Sequence, residues 1–425
     1  MKYAIDDKPP LLSLFLYGLQ WWVVSLPCIV IMGLVVSRLH YTGFAEQSVY
    51  MQKLFGIMGL ATIAQTLWGH RLPLVVGPAS TLLVGIIASV SSGVAAIYTA
   101  IIIGGAVLAI ASFSGLLHRL RFFFTPRIVA VILILIAFTL SPTILRLILD
   151  GVGKPSLQLL FAICTVFGLV LCNTLLPGVW KSLTVLIGIA GGSFSFFLAF
   201  GFPVVPSVQE TQSSLPLLLP SLEFHAGTIT AFMFCYLALL INELGSIESI
   251  GHMLRAENMS GRITRGSGLQ GIANMASGGL GVIGPVDYSM SAGIISATGC
   301  ASRYPLIPAG IGLALCAFFP GVVQMLSCIP STVMGALMLY LMASQLSSGL
   351  SMLVADRGVT DFSSGLTVGL PLMIGLLIAF MPEQAFAGLP EILRPIVANG
   401  FVMGAVTVIV LEHGLFRSRK TPEEK

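Results

Sequence analysis

The chain has 425 residues, 56% of them hydrophobic and 9% charged, with a formal net charge of +4 and a mean hydropathy of +0.98. A soluble globule carries roughly 25% charged residues, so the composition excludes one and points to a polytopic membrane protein. Seven cysteines lie almost entirely in apolar stretches without metal-type pairing and read as small core residues. No cofactor, metal or nucleic-acid partner is expected.

The first ten residues are polar (Lys2, Asp6, Asp7, Lys8, Pro9, Pro10), and the apolar run that follows is too long for a signal-peptide core, so it stays as the first span. Hydropathy places spans at roughly 11–37, 48–69, 72–92, 94–117, 128–148, 157–176, 180–203, 226–253, 266–283, 286–302, 304–328, 330–353, 362–382 and 394–416. The longest break, 204–224, divides them into two sets of seven, with halves 1–205 and 206–425. With the N-terminus inside, all the Lys and Arg except Arg38, Lys53, Arg146, Lys154 and Arg394 fall on the cytoplasmic side, which is 16 of the 21. Both termini are therefore expected in the cytoplasm of a cell whose plasma membrane, of the bacterial inner-membrane type, holds the protein.

One string occurs nearly twice, Leu74-Val75-Val76-Gly77-Pro78-Ala79-Ser80 and, 207 residues on, Gly281-Val282-Ile283-Gly284-Pro285-Val286-Asp287. Each reads as a short extended run, a Gly-Pro break and a small polar residue of the helix-capping type. Gly-Pro breaks helices, and irregular backbone at membrane depth persists only where it is buried in protein or lines a cavity. Both strings fall at the third span of their half, and an odd number of spans per half makes the halves inverted. The fold class expected is an all-α polytopic membrane protein with 14 transmembrane segments in a 7+7 inverted repeat, containing two half-helices preceded by short extended strands. Paired broken helices of this kind point to the central site of a secondary transporter.

Further strings carry a family resemblance: Lys8-Pro9-Pro10-Leu11-Leu12 with Gly18-Leu19-Gln20, Glu248-Ser249-Ile250-Gly251, Thr298-Gly299-Cys300-Ala301-Ser302-Arg303, and Ile329-Pro330-Ser331-Thr332-Val333-Met334-Gly335. Together and in this order they resemble the nucleobase-ascorbate transporters, the uracil/xanthine permeases. The resemblance implies that Glu248 accepts hydrogen bonds from a planar base, that His252, four residues on and on the same helical face, orients it or relays a proton, and that Ala79 and Ser80 lend backbone N–H groups. It implies a side-chain amide from Gln20, which alternatively joins two helices. The chain departs from the family signature at Met290-Ser291-Ala292-Gly293, where the family carries Glu or Gln followed by Asn; Met290 makes no directional hydrogen bond of that kind.

Glu243, Glu248 and Asp287 are the acidic residues placed at depth, where a carboxylate is by default functional, while Glu412 lies near the end of the last span. Glu243 is turned roughly 140° from Glu248 and either takes the coupling proton or bonds a neighbouring helix through Asn242 and Ser246. Asp287 is expected at the N-terminus of the second half-helix, as a cap or as the polar contact that Met290 lacks. The substrate set is thus Glu248, His252, Gln20, Ala79, Ser80, Asp287, Met290 and Ser291, and the proton-coupling set Glu243, Glu248 and His252.

The expected function is import of a nucleobase or similar flat heterocycle by proton symport, a core (11–117 with 225–328) shifting against a gate (126–203 with 330–417). The partners are a small substrate, protons and the bilayer, with a homodimer through the gate as the possible assembly. A sulfate or bicarbonate carrier shares the architecture, but Glu248 opposes an anion; a non-transporting sensor is the other alternative. The residues offer no enzyme site, since a nucleophile-base pair or metal cluster would need further ligands at credible spacing beside Glu248 and His252.

Overall fold

The computed structural model describes residues 2–117, 125–150, 154–177, 180, 183–201, 221–288, 291–319, 321, 328–356, 358–386, 388–390 and 393–415. Met290, the connection 202–220 and the basic residues Arg119, Arg121, Lys181, Arg357, Arg417, Arg419, Lys420 and Lys425 lie outside them.

The first half consists of α1 (Leu11–His40), α2 (Phe44–Leu67), β1 (Val75–Pro78), α3 (Ser80–Ala88), α4 (Val94–Phe113), α5 (Pro126–Thr139), α6 (Ser141–Leu149), α7 (Pro155–Leu175) and α8 (Thr184–Phe200). The second consists of α9 (Ala226–Met253), α10 (Met259–Leu280), β2 (Pro285–Tyr288), α11 (Ser291–Thr298), α12 (Leu306–Cys316), α13 (Ser331–Ala355), α14 (Phe362–Phe380) and α15 (Gly400–Val410). Among the described residues, seven stretches are long and apolar enough to cross a membrane: α1, α4, α5 with α6, α7, α9, α13 and α14. Buried fractions separate them. The apolar window of α1 is 72% buried and that of α7 only 17%, so α7 presents Leu160, Phe167, Leu171 and Leu175 outward as a lipid-facing side.

Packing falls into two sets. In one, α4 lies along α10 and α2 along α12, with α1, α3 and α9 completing the group around the strands; in the other, α13 packs on α5, α6 and α7, and α14 on α15 and α5. The two long contacts of the first set share one atomic device. A Cβ on Gly105 of α4 would lie 2.7 Å from Gly271 O and 2.8 Å from Met275 N of α10, and one on Gly59 of α2 would run into Gly310 O and Ala314 N of α12. Bare glycine backbones on both partners let the helices touch, as small residues do in membrane helix pairs. The pattern is reciprocal, each half contributing one helix to each contact.

β1 and β2 pair antiparallel, Val75 opposite Tyr288, Val76 opposite Asp287, Gly77 opposite Val286 and Pro78 opposite Pro285. The Gly-Pro strings therefore differ in use. Gly77-Pro78 ends its strand and α3 follows two residues later, whereas Pro285 opens its strand and α11 begins only at Ser291. Before Pro285, Val282 N–H turns back to Ser277 O and Ile283 N–H reaches the Tyr50 hydroxyl, so the run expected to be extended is a turn.

Candidate functional site

The crossing of the strands organises the centre of the molecule. Ala79 N–H donates to Gly284 O (2.9 Å), Val75 N–H to Ser291 Oγ (3.0 Å), Ser291 Oγ–H to Tyr288 O (2.8 Å) and Tyr288 Oη–H to Pro78 O (2.6 Å). The two facing prolines bring no N–H to the ladder, and with the Ala79 N–H taken by Gly284 O no strand donor is left for Pro285 O. Asn274 of α10 supplies the donor instead, its Nδ2 lying 3.0 Å from Pro285 O. Its Oδ1 accepts from the Tyr236 hydroxyl of α9 (3.0 Å), which also reaches Ile101 O of α4 (2.9 Å).

Of the residues expected to meet substrate, Ala79 is buried and stands as the N-cap of α3 without a side-chain cap, leaving first-turn N–H groups free of side-chain partners. Ser80 opens that helix. Thr81 beside it, missed at the sequence level, has a buried hydroxyl with no hydrogen-bond partner among the described residues, and so has the Gln20 amide nitrogen on α1, a helix that packs against both β1 and α3. Ser291 is engaged in tying the two strands to α11. Met290, as stated, lies outside the described residues.

Glu248 occupies a different place. It is half-buried on α9 and lines a cleft of about 440 Å³ together with Ile241, Leu244, Pro126 and Val129 of α5, and Met352 and Asp356. His252 is exposed one turn further on. A second cleft, about 350 Å³, lies at the other end of α5: Thr139 and Leu140 line it with Val84, Ile87 and Ala88 of α3 and with Arg394 and Asn399. Along α5, Val129 of the first cleft and Thr139 of the second are ten residues apart, roughly 15 Å.

Asp287 is not the cap of the second half-helix. It sits inside β2, four residues before α11 begins, because Val286, Asp287 and Tyr288 continue the extended pairing. Its fully buried side chain faces α9 and the loop after α2, away from the Glu248 cleft: Asp287 N–H donates to Glu243 Oε2 (3.1 Å), Ser246 Oγ–H to Asp287 O (2.9 Å), and His70 Nε2 lies 3.1 Å from Asp287 Oδ2. That last approach is close but poorly aimed, so it is an electrostatic contact and not an aligned hydrogen bond. The reading in which Glu243 bonds a neighbouring helix through Asn242 and Ser246 is altered: Glu243 and Ser246 each bond the backbone of Asp287, in the strand β2. His70 was not singled out from the sequence; its only local signal is a histidine four residues ahead of the first Gly-Pro string. Gln65 Nε2, bonded to Gln270 Oε1 (2.9 Å) and Gly266 O (2.9 Å), completes a polar stripe whose members on α10, Gly266, Gln270 and Asn274, recur every fourth residue.

Two short helices, each preceded by one strand of an antiparallel pair among apolar helices, are the arrangement that membrane transporters build at their central site. Residues 12–384 match the xanthine/uracil permease profile, described as a permease family. The chain belongs to that family: it is a multi-pass membrane transport protein and not an enzyme. It is 26% identical over 413 residues to the xanthine permease of Bacillus subtilis (strain 168), covering 93% of this chain and 90% of that one, and 25% identical over 382 residues to the uric acid permease PucJ of the same organism, covering 86% and 84%. In fold it resembles the transmembrane domain of the cyanobacterial bicarbonate transporter BicA, with a TM-score of 0.62 at 17% identity, over 86% of this chain and 95% of that domain.

Proposed function

We propose that the protein imports a nucleobase or similar flat heterocycle, a purine or uracil, by proton symport. The observation that carries this reading is the strand crossing, with the uncapped start of α3 and the unpartnered Thr81 hydroxyl beside it and an unpartnered Gln20 amide on α1, the helix packed against β1 and α3, set between clefts at opposite ends of α5. The names of the relatives supply the substrate class. The two packing sets are the core and the gate of an alternating-access cycle, and the reciprocal glycine contacts support a 7+7 inverted repeat of 14 spans with both termini cytoplasmic. Glu248 lines the core–gate cleft from which a base N–H reaches a carboxylate; Ala79, Ser80 and Ser291 stand at the crossing, Gln20 on α1, and His252 is exposed one turn beyond Glu248.

The test is flux of radiolabelled xanthine and uracil into proteoliposomes holding the purified chain, with bicarbonate and sulfate as the anion arm. Saturable base uptake stimulated by an inward proton gradient is expected. Anion uptake without base uptake refutes the substrate assignment, and binding without any flux makes the protein a sensor.

A further inference from the structure

Three ionisable side chains, His70, Glu243 and Asp287, are fully buried in one contact cluster at the crossing, on the face of α9 turned away from Glu248. Their donors and acceptors do not balance. Glu243 Oε2 accepts from Asp287 N–H, but Glu243 Oε1 and both Asp287 carboxylate oxygens have no hydrogen-bond donor among the described residues. The two carboxyl groups are nonetheless buried neighbours, since Glu243 Oε2 takes the backbone N–H of Asp287 itself. Carboxylates have only acceptor atoms when ionised, so a contact between the two side chains becomes a hydrogen bond only when one of them carries a proton.

His70 does not remove the imbalance. Its Nδ1 accepts the Leu72 N–H (2.9 Å), which places the ring proton on Nε2, toward Asp287 Oδ2, and leaves the imidazole neutral. Two unprotonated carboxylates beside a neutral imidazole would leave two buried negative charges, an expensive state in a dry interior. The ionisable residues on elements packed against α9 and β2 are Tyr98, Arg127, Arg262, Arg265, Arg394 and Tyr288, with Tyr236, Cys235, Glu248 and His252 on α9 itself. Arg262 comes nearest through the loop, but its guanidinium is spent on the carbonyls of His70 and Arg71 (2.9 and 2.8 Å).

We infer that Glu243 and Asp287 form a proton-binding site in which Glu243 Oε1–H donates to Asp287, and that this proton, not one on Glu248, is the ion coupled to transport. This rests on the transport reading above. His70 Nε2–H favours the negative end on Asp287, and Glu243 Oε2, already accepting from the backbone, leaves Oε1 as the protonated oxygen. With the cluster fully buried, the proton enters from water and leaves to water only when the crossing opens. Because Glu243 bonds the backbone of β2 while Asp287 belongs to it, loss of the proton sets two like charges across the contact between α9 and the strand, which links protonation to the geometry of the half-helices.

The purified full-length chain in proteoliposomes tests this with radiolabelled xanthine and uracil. Glu243→Gln keeps a donor facing Asp287 and mimics the protonated state. Base counterflow at zero proton gradient is expected to stay within about twofold of wild type, while accumulation driven by an inward proton gradient falls by about tenfold or more. Gradient-driven accumulation that survives in Glu243→Gln, or counterflow lost together with it, overturns the inference. Infrared spectroscopy gives an independent arm that needs neither transport nor the variant's folding: the wild type at neutral pH is expected to show a protonated-carboxyl C=O stretch, and its absence overturns the inference. Absence of base counterflow in the wild type, with that band present and lost in Glu243→Gln, instead strikes the nucleobase reading and leaves the shared proton standing.

Discussion

Replacing Asn274 by leucine removes the one side-chain donor that the described residues offer to Pro285 O while keeping similar bulk. Pro78, opposite in the register, has no N–H to substitute, and water is excluded, since Asn274 is fully buried. The carbonyl is left without a partner, which costs about 1–3 kcal/mol; about 2 kcal/mol is roughly thirtyfold in the folding equilibrium. The Tyr236 hydroxyl, deprived of Asn274 Oδ1, still has Ile101 O at 2.9 Å, so little is added from that side. Tyr236→Phe is accordingly expected to cost less, about 0.5–1.5 kcal/mol. Asn274→Asp is expected to cost more than leucine, because it sets an acceptor oxygen against the Pro285 carbonyl. Denaturation of the three purified variants in one detergent, followed by tryptophan fluorescence, gives the order. Wild-type stability in Asn274→Leu, or a loss in Tyr236→Phe as large as in Asn274→Leu, refutes the assignment of Asn274 as the donor that closes the strand end.

Glu248→Gln replaces an acceptor-only edge in the cleft by a mixed one, so base affinity, measured by calorimetry, is expected to drop by about 1.5–3 kcal/mol, the value of a charge-assisted bond; unchanged affinity assigns Glu248 to a structural role. Gly271→Ala puts a methyl 2.5 Å from Ala109 N and 2.6 Å from Gly105 O, which forces α4 and α10 apart at about 1–3 kcal/mol, whereas Gly245→Ala meets nothing within 4 Å. Equal melting temperatures for these two variants contradict the close helix contact. Asp361 caps α14 and accepts the Ser364 N–H (2.7 Å), first among the causes that hold its carboxyl below the ordinary aspartate range. A depressed value in the folded chain means that the cap is fully effective above about 3.9 and is lost only as pH falls through the lower folded value. Hydrogen exchange in the first turn of α14 is therefore expected to be pH-independent from neutrality to mild acid, after correction for intrinsic rates; protection lost already in mild acid contradicts this.

Composition and the run lengths of apolar residues determined that the chain is a polytopic membrane protein, because transfer to lipid depends on local hydropathy alone. The two Gly-Pro strings were legible for the same reason: a proline removes a donor and a helical bond wherever it stands, so the breaks at Pro78 and Pro285 needed no knowledge of neighbours. The strand register was not legible. Val75 meets Tyr288 across more than 200 residues, and the repeat of the string suggested equal use of both copies, whereas antiparallel pairing places one Gly-Pro at the end of its strand and the other at the start. That shift moved Asp287 out of a helix cap and into β2. Tertiary packing alone then decided its partners: His70 from the loop after α2, Glu243 from α9 and, for the strand it occupies, Asn274 from α10. Sequence distance carries no information about such contacts, because a buried carboxyl is held by whichever groups the helices bring within hydrogen-bond reach, and these come from three separate segments joined only in the folded chain.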